Sequence, residues 1–363
     1  MKNNISDSPP TLVPTYEDEL RAADDWFVQL DGDRTMDMLV GRLAVQNVAE
    51  LEVVVDKIIY YDTAPAYGPW KNTLLLAADD DYSPDFNYDD HVFGLDTETL
   101  ATNAVASSYD VKKVYLYAYP RDRFGKKPQA KEDFIRNFNQ GALYINYLGH
   151  GNHEQLAHEN IFYSPDDVGR LANDRRLPLL FAGTCAVGQF DYDRKKSMAE
   201  ELIQCSGGGC FAVVGASRWN SHLITFGINK VFYQNVLTAS NEGAKSLGQA
   251  LLESKLQSRY QDHRELLVLF GDPAQRLAVP EYSVSLSLSP DSIALTKNVQ
   301  LKGEIRKADS VLSDFSGSVF VRFYENIFKR YAAGYEYSVA GRVVYEDTLR
   351  VRSGKVDSHF FLR

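Results

Sequence analysis

Two short stretches carry the side chains best suited to chemistry. They are Tyr147-Leu-Gly-His150-Gly151 and, 35 residues on, Gly183-Thr-Cys185-Ala186. Each follows an apolar run, 142–148 and 177–182, that reads as a buried strand. In a parallel sheet, residues just past the carboxyl ends of neighbouring strands project into one crevice. An imidazole and a thiol delivered there together are the parts of an activated nucleophile. The imidazole lowers the thiol pKa, and can later protonate a departing amine. Gly149 and Gly151 would let a substrate backbone approach, and the amides of Gly151 and Cys185 could hold an oxyanion. A core thiol beside a turn histidine is the competing reading, and these residues alone leave both open.

Other candidates surround this pair. In His150-Gly-Asn-His153-Glu154-Gln-Leu-Ala-His158-Glu159, the spacing argues against zinc. A zincin helix needs histidines at i and i+4, whereas His153 and His158 are five apart, about 140° around a helix. The stretch reads as solvated loop, or as residues such as Glu154 that shape a substrate cleft. The loop 79–90 holds six aspartates after another apolar run. It could orient His150 as the third member of a triad, or hold a structural calcium, though it lacks EF-hand spacing and the EF-hand glycine. The three cysteines, Cys185, Cys205 and Cys210, are too few and odd in number for a disulfide framework. Cys205 and Cys210 read as buried small residues beside a strand, with a bridge between them as the alternative.

The elements that must position these groups alternate. Strands are expected at 24–30, 37–45, 72–78, 112–118, 142–148, 177–182 and 207–215, and the run 265–273 closes the pattern. Helices are expected at 48–60, 93–106, 131–139, 166–173, 197–203, 229–237 and 243–259. Asn47 caps the first, whose apolar face is Val48, Leu51, Val55, Ile58 and Ile59. Ser197 and Glu200 form a capping-box pattern. Such alternation predicts an α/β fold: a largely parallel sheet with helices on both faces. After Pro280 the pattern changes to short alternating runs at 282–288, 299–305, 317–323 and 341–346, the mark of a β-sandwich. About six strands are counted, and the last strand-like run stops at the chain end, so this domain reads as cut short. The expected division is a polar extension over 1–22, an α/β domain over 23–280 and a β domain over 281–363.

Composition excludes some classes. The 363 residues carry a net charge of −10, which gives nucleic acid no electrostatic attraction. No apolar run reaches the ~18 residues of a membrane-spanning helix. The first ten residues lack the apolar core of a signal peptide, so the chain reads as cytoplasmic or as a piece of a longer precursor.

Taken together, Tyr147-Leu-Gly-His-Gly151, Leu177-Pro-Leu-Leu-Phe-Ala-Gly-Thr-Cys185-Ala-Val-Gly-Gln-Phe-Asp-Tyr192, Ser197-Met-Ala-Glu200 and Gly208-Gly-Cys-Phe-Ala-Val-Val-Gly-Ala-Ser-Arg218 resemble the gingipain-type cysteine peptidases. Val40-Gly-Arg-Leu-Ala-Val45 and Leu269-Phe-Gly-Asp-Pro273 extend the likeness over roughly residues 25–280. Within the family the chain is most similar to the PorU-type sortase branch of the type IX secretion system. The resemblance implies a caspase-like sheet, an immunoglobulin-like sandwich after it, and a Cys185–His150 catalytic pair. It places the acidic third member in the loop 79–90, with Asp85 as the assignment and Asp80 and Asp90 as alternatives. It places a substrate-pocket wall at Ser217, Arg218, Trp219 and Asn220, where Arg218 would not favour a basic P1 residue, so Arg or Lys specificity is not carried over. It implies protein or peptide substrates, secretion-system partners, a cell-surface or extracellular location, and no cofactor beyond structural calcium. A surface or secretion scaffold that keeps the fold without catalysis is the alternative.

Overall fold

The computed structural model describes residues 16–18, 21–81, 92–192, 195–238, 244–290, 297–307, 310–332 and 334–362. Six strands build the central sheet: β1 (Thr73–Ala78), β2 (Asp110–Tyr115), β3 (Tyr144–Leu148), β4 (Leu179–Gly183), β5 (Ala212–Ala216) and β6 (Leu267–Phe270). Their order is β6-β5-β4-β3-β1-β2. All pairings are parallel except that of β6, which runs antiparallel to β5.

Every residue of β3, β4 and β5 is buried, which is why these runs read as continuously apolar. The two-residue period survives in which core each residue enters. Leu75, Ala77, Ile145, Tyr147, Leu180, Ala182 and Val213 face one core. Leu74, Leu76, Tyr144, Leu179, Phe181, Ala212 and Val214 face the other. Among the described residues, the longer helices cover these faces: α1 (Val48–Thr63), α2 (Val92–Ala101), α3 (Pro128–Gln140), α4 (Met198–Gln204), α5 (His222–Leu237) and α6 (Leu247–Leu256). Phe134 and Phe138 of α3 and Met198 and Leu202 of α4 enter the first core. Leu100 of α2, Phe232 of α5 and Leu251 of α6 enter the second. Each large apolar side chain so buried contributes about 1.5–3 kcal/mol.

From β1 the chain leads outward to β2, then returns past β1 to β3 and continues in the opposite direction. The crevice of such a sheet opens where the strand order reverses, here between β1 and β3. Ala78 is in register with Leu148, and Leu148 with Gly183. The segments that follow those three residues therefore emerge side by side at the carboxyl edge.

Several expectations are corrected. Residues 24–30 are not a strand; Asp24–Val28 form a 3₁₀ turn that sends Asp24 to Arg42 and Asp25 to Lys255, both inside the protein. Residues 37–45 make a single parallel bridge, Arg42 to Phe270, closed by Arg42 N to Leu269 O (2.8 Å) and Gly271 N to Arg42 O (3.0 Å), and no strand. On α1 the buried residues are Val54, Lys57 and Tyr61, while Val48, Leu51 and Ile59 are exposed. Lys57 is drawn inward by the carbonyls of Ile203 (2.8 Å), Cys210 (3.2 Å) and Leu202 (3.3 Å). The helix α5 begins at His222 rather than at 229, and the helix expected over 166–173 is one turn, Ser164–Asp167, followed by a 3₁₀ turn.

Residues 280–363 form a second compact unit. Ser283–Ser289, Lys297–Lys307 and Lys355–Leu362 lie in one sheet, and Gly317–Tyr324 pairs with Val343–Val351 in another. Val299, Leu301 and Phe360 meet Val321, Leu349 and Val351 between them, as in a β-sandwich. A hairpin, Ile327–Ala332 with Tyr335–Ala340, is an addition to the expected strands.

Candidate active site

His150 lies two residues past β3, and its main chain is held from below. Its amide donates to Asp79 Oδ2 (2.9 Å), and the Tyr147 hydroxyl donates to its carbonyl (2.7 Å). Asp79 also accepts the Asp80 amide (2.8 Å). A Cβ at position 149 would collide with the Asp79 Cβ and the Tyr147 hydroxyl, so this approach requires glycine. Asp79 is fully buried, and desolvation pushes its carboxyl up to about 6.

The His150 ring is met by three neighbours. Its Nε2 stands 3.4 Å from Asp81 Oδ1, and its edge contacts Phe93 (5.2 Å between centroids) and His158 (5.3 Å). Asp81 has φ 60°, a left-handed conformation that aspartate tolerates better than most residues. Its hydrogen bond raises the imidazole pKa above the ordinary value, against the opposing effect of burial. The ring keeps one open side, with 43% of its side chain exposed.

Cys185 sits on a tight turn after β4. Thr184 N donates to Ala182 O (2.9 Å), Ala186 N donates to Arg218 O (3.0 Å), and Ala186 takes φ 55°. The sulfur is half-buried and bracketed by the main chain of Asn220, accepting from its amide (3.5 Å) and donating to its carbonyl (3.7 Å). Burial raises the thiol pKa, and the Asn220 amide works against that rise. Among the described residues no hydrogen bond joins the His150 ring to Cys185. The two groups rest on separate partners at the ends of strands that neighbour each other in the sheet, about 4.8 Å apart.

Gly151 opposes Leu156 in an antiparallel bridge whose bonds are made by the flanking residues: Ala157 N to His150 O and Asn152 N to Gln155 O, both 2.9 Å. The Gly151 amide thus falls in the non-bonded position of the bridge, open to another acceptor.

The expected pocket wall divides. Ser217 is fully buried and donates to Ala22 O (2.6 Å), so its hydroxyl faces the interior. Arg218 forms a two-pronged ion pair with Asp191. Trp219 is 72% exposed. Asn220 is buried, with its side chain on His263. Glu154 is bound by Lys195 (2.6 Å).

Among the acidic residues, Asp85 and Asp90 lie outside the described residues. Asp80 is taken by Lys127 and by Arg121 (2.7 Å), not by the imidazole. Reasoning from sequence passed over Asp81, and only its place near the end of β1 could have singled it out. It also passed over Asn220 as the thiol's partner, and over His222, which pairs with Asp96 (2.7 Å) and packs against Phe93. The carboxylates of Asp79, Asp80 and Glu159 converge. Lys127 and Arg121 already hold Asp80, Arg121 holds Glu159 (3.2 Å), and two amides hold Asp79. Two fixed cations at a divalent-ion position oppose calcium, so this described part of the acidic loop does not fit it.

The family model of Peptidase family C25 matches residues 2–278. Lys-gingipain HG66 of Porphyromonas gingivalis is 24% identical over 202 residues, which is 54% of this chain and 11% of the relative. Gingipain R2 of Porphyromonas gingivalis is 24% identical over 205 residues, 56% of this chain and 25% of the relative. The chain thus spans a quarter or less of these relatives. Among solved structures, the Arg-specific cysteine proteinase gingipain R (RGPB) superposes with a TM-score of 0.63 at 17% identity, covering 95% of this chain and 74% of that one. That likeness extends the shared fold beyond the matched sequence.

Proposed function

Because the chain belongs to peptidase family C25, the gingipain-like cysteine peptidases, we propose that it cleaves peptide bonds through Cys185 and His150. The observation that supports this most is the register of Leu148 with Gly183. It sets the imidazole and the thiol two residues past adjacent strand ends, with the Asp81 carboxylate on the ring. Burial holds the Cys185 thiol above its ordinary pKa, so in this reading the proton moves as attack occurs. His150 takes it from Cys185 while the sulfur bonds to the carbonyl carbon. The oxyanion is met by the amides of Gly151 and Cys185. His150 then protonates the amide nitrogen as the C–N bond breaks, leaving a thioester and a free amine. Water releases an acid, or an amine acceptor releases a new amide, the sortase outcome. Protein substrates, a place at the cell surface and secretion-system partners accompany this reading. Among the described residues no helix is long and apolar enough to cross a membrane.

The test is acylation by a thiol-directed peptide probe together with cleavage of a diverse peptide library. Wild type is expected to label and cleave, and Cys185→Ala to do neither; unchanged turnover in that variant sinks the proposal. Product masses separate hydrolysis from transpeptidation, since only the latter adds the acceptor. A second reading, a non-catalytic surface or secretion scaffold, is favoured by the thiol resting on Asn220 instead of His150. A folded wild type whose Cys185 resists the probe would support it.

A further inference from the structure

Among the described residues, the thiol of Cys185 touches one residue's hydrogen-bonding groups, the amide and carbonyl of Asn220. Besides the neighbouring Ser221 amide, what holds the Asn220 side chain is one residue from a distant part of the sequence, through both its carbonyl and its ring. Asn220 Nδ2 donates to the His263 carbonyl (3.1 Å), and His263 Nδ1 lies 2.7 Å from Asn220 Oδ1. The first bond orients the amide, and Ser221 N also donates to Oδ1 (2.8 Å). Oδ1 is therefore the acceptor, and His263 Nδ1 carries the proton. His263 lies on the short helix Gln261–Glu265, immediately before β6. That helix is tied down in turn, since Arg21 and Arg34 both reach Asp262 and Glu265.

From this geometry we propose that His263 is a positioning residue for the nucleophile: by clamping the Asn220 side chain, it keeps the Asn220 amide aimed at the Cys185 sulfur. The proposal rests on the reading of Cys185 as the nucleophile, but its consequence appears in thiol chemistry without any peptide substrate. An N–H directed at sulfur favours the thiolate. When the clamp is lost the amide drifts, the thiol pKa rises, and alkylation at a fixed pH slows.

The experiment measures the rate of iodoacetamide alkylation of Cys185 across pH 6 to 10, by mass spectrometry of the peptide that contains it. This keeps Cys205 and Cys210 out of the signal. His263→Leu is expected to slow alkylation roughly fivefold near pH 7, the effect of one hydrogen bond, and to move the pH midpoint upward. His263→Asn places an N–H near the Nδ1 position and is expected to restore most of the rate. Asn220→Ala breaks the clamp from its other end and should shift the midpoint the same way, so a failure of His263→Leu to fold leaves the idea open to test. A wild-type rate and midpoint in folded His263→Leu overturn the proposal, as does an Asn variant no better than Leu, or an unshifted Asn220→Ala. If wild type alkylates as described yet cleaves no peptide, the peptidase reading fails while the clamp stands.

Discussion

The substitution Asp81→Asn tests the electrostatics of the site with the least change in shape. The carboxylate lies 3.4 Å from His150 Nε2. A unit charge pair at that distance interacts by about 5 kcal/mol at an effective dielectric of about 20, and by about 1.2 kcal/mol under water-like screening. The ring is 43% exposed, so the screened end governs, and about 1 kcal/mol is expected. The sign follows from His150 being raised above its ordinary value, chiefly by the Asp81 hydrogen bond. The pair stabilises the fold while the ring is protonated, and that contribution is lost as pH rises through the His150 midpoint. Asp81→Asn should therefore lower the His150 midpoint, seen as the pH dependence of its ring C–H resonances in NMR. It should also lower urea resistance near pH 5 but not near pH 8. Asp79 faces the same imidazole, so part of the upward shift should remain. A His150 midpoint that stays put or rises in Asp81→Asn would refute the reasoning and hand the role to another carboxylate.

Other outcomes follow from the same geometry. Glu159 is almost wholly buried, and desolvation beside Asp80 and Asp79 pushes it up to about 8. Because the folded state keeps a proton that the unfolded state releases, stability should fall as pH rises from the ordinary carboxylate range to about 8. Glu159→Gln should flatten that slope and resist urea better than wild type at pH 8. Gly149→Ala should push Asp79 away from the His150 amide, seen as loss of the downfield amide resonance of His150 together with reduced peptide cleavage. Ser197→Ala removes a capping box at the start of α4 and should cost about 1 kcal/mol, read from the urea midpoint.

What could be read in the sequence was what repeats or caps locally. The runs 142–148 and 177–182 announced β3 and β4 because strands buried on both faces need unbroken apolar stretches. Ser197 and Glu200 announced the start of α4, and Gly141 (φ 93°) the end of α3. The His150 and Cys185 turns stood out for the same reason, each being a reactive residue among small ones. What could not be read depended on distant partners. The buried face of α1 is decided by carbonyls at 202, 203 and 210, which no periodicity within α1 reveals. Among the crowded aspartates, only the φ of Asp81 and the two cations on Asp80 assign their roles. His263 lies 43 residues from Asn220 and 78 from Cys185, and nothing near it in sequence marks it as part of the site.

The reversal of strand order between β1 and β3 also bears on when the crevice exists. Its parts come from five separate segments, at Asp81, His150, Cys185, Asn220 and His263, and the last of them directly precedes β6. A chain emerging from the ribosome displays the histidine and the cysteine well before it has made the helix that clamps Asn220. Domains fold as units, and sheets that join distant segments close late. The edge strand β6 thus works as a timer: the sulfur receives its final support only as the last strand of the sheet arrives.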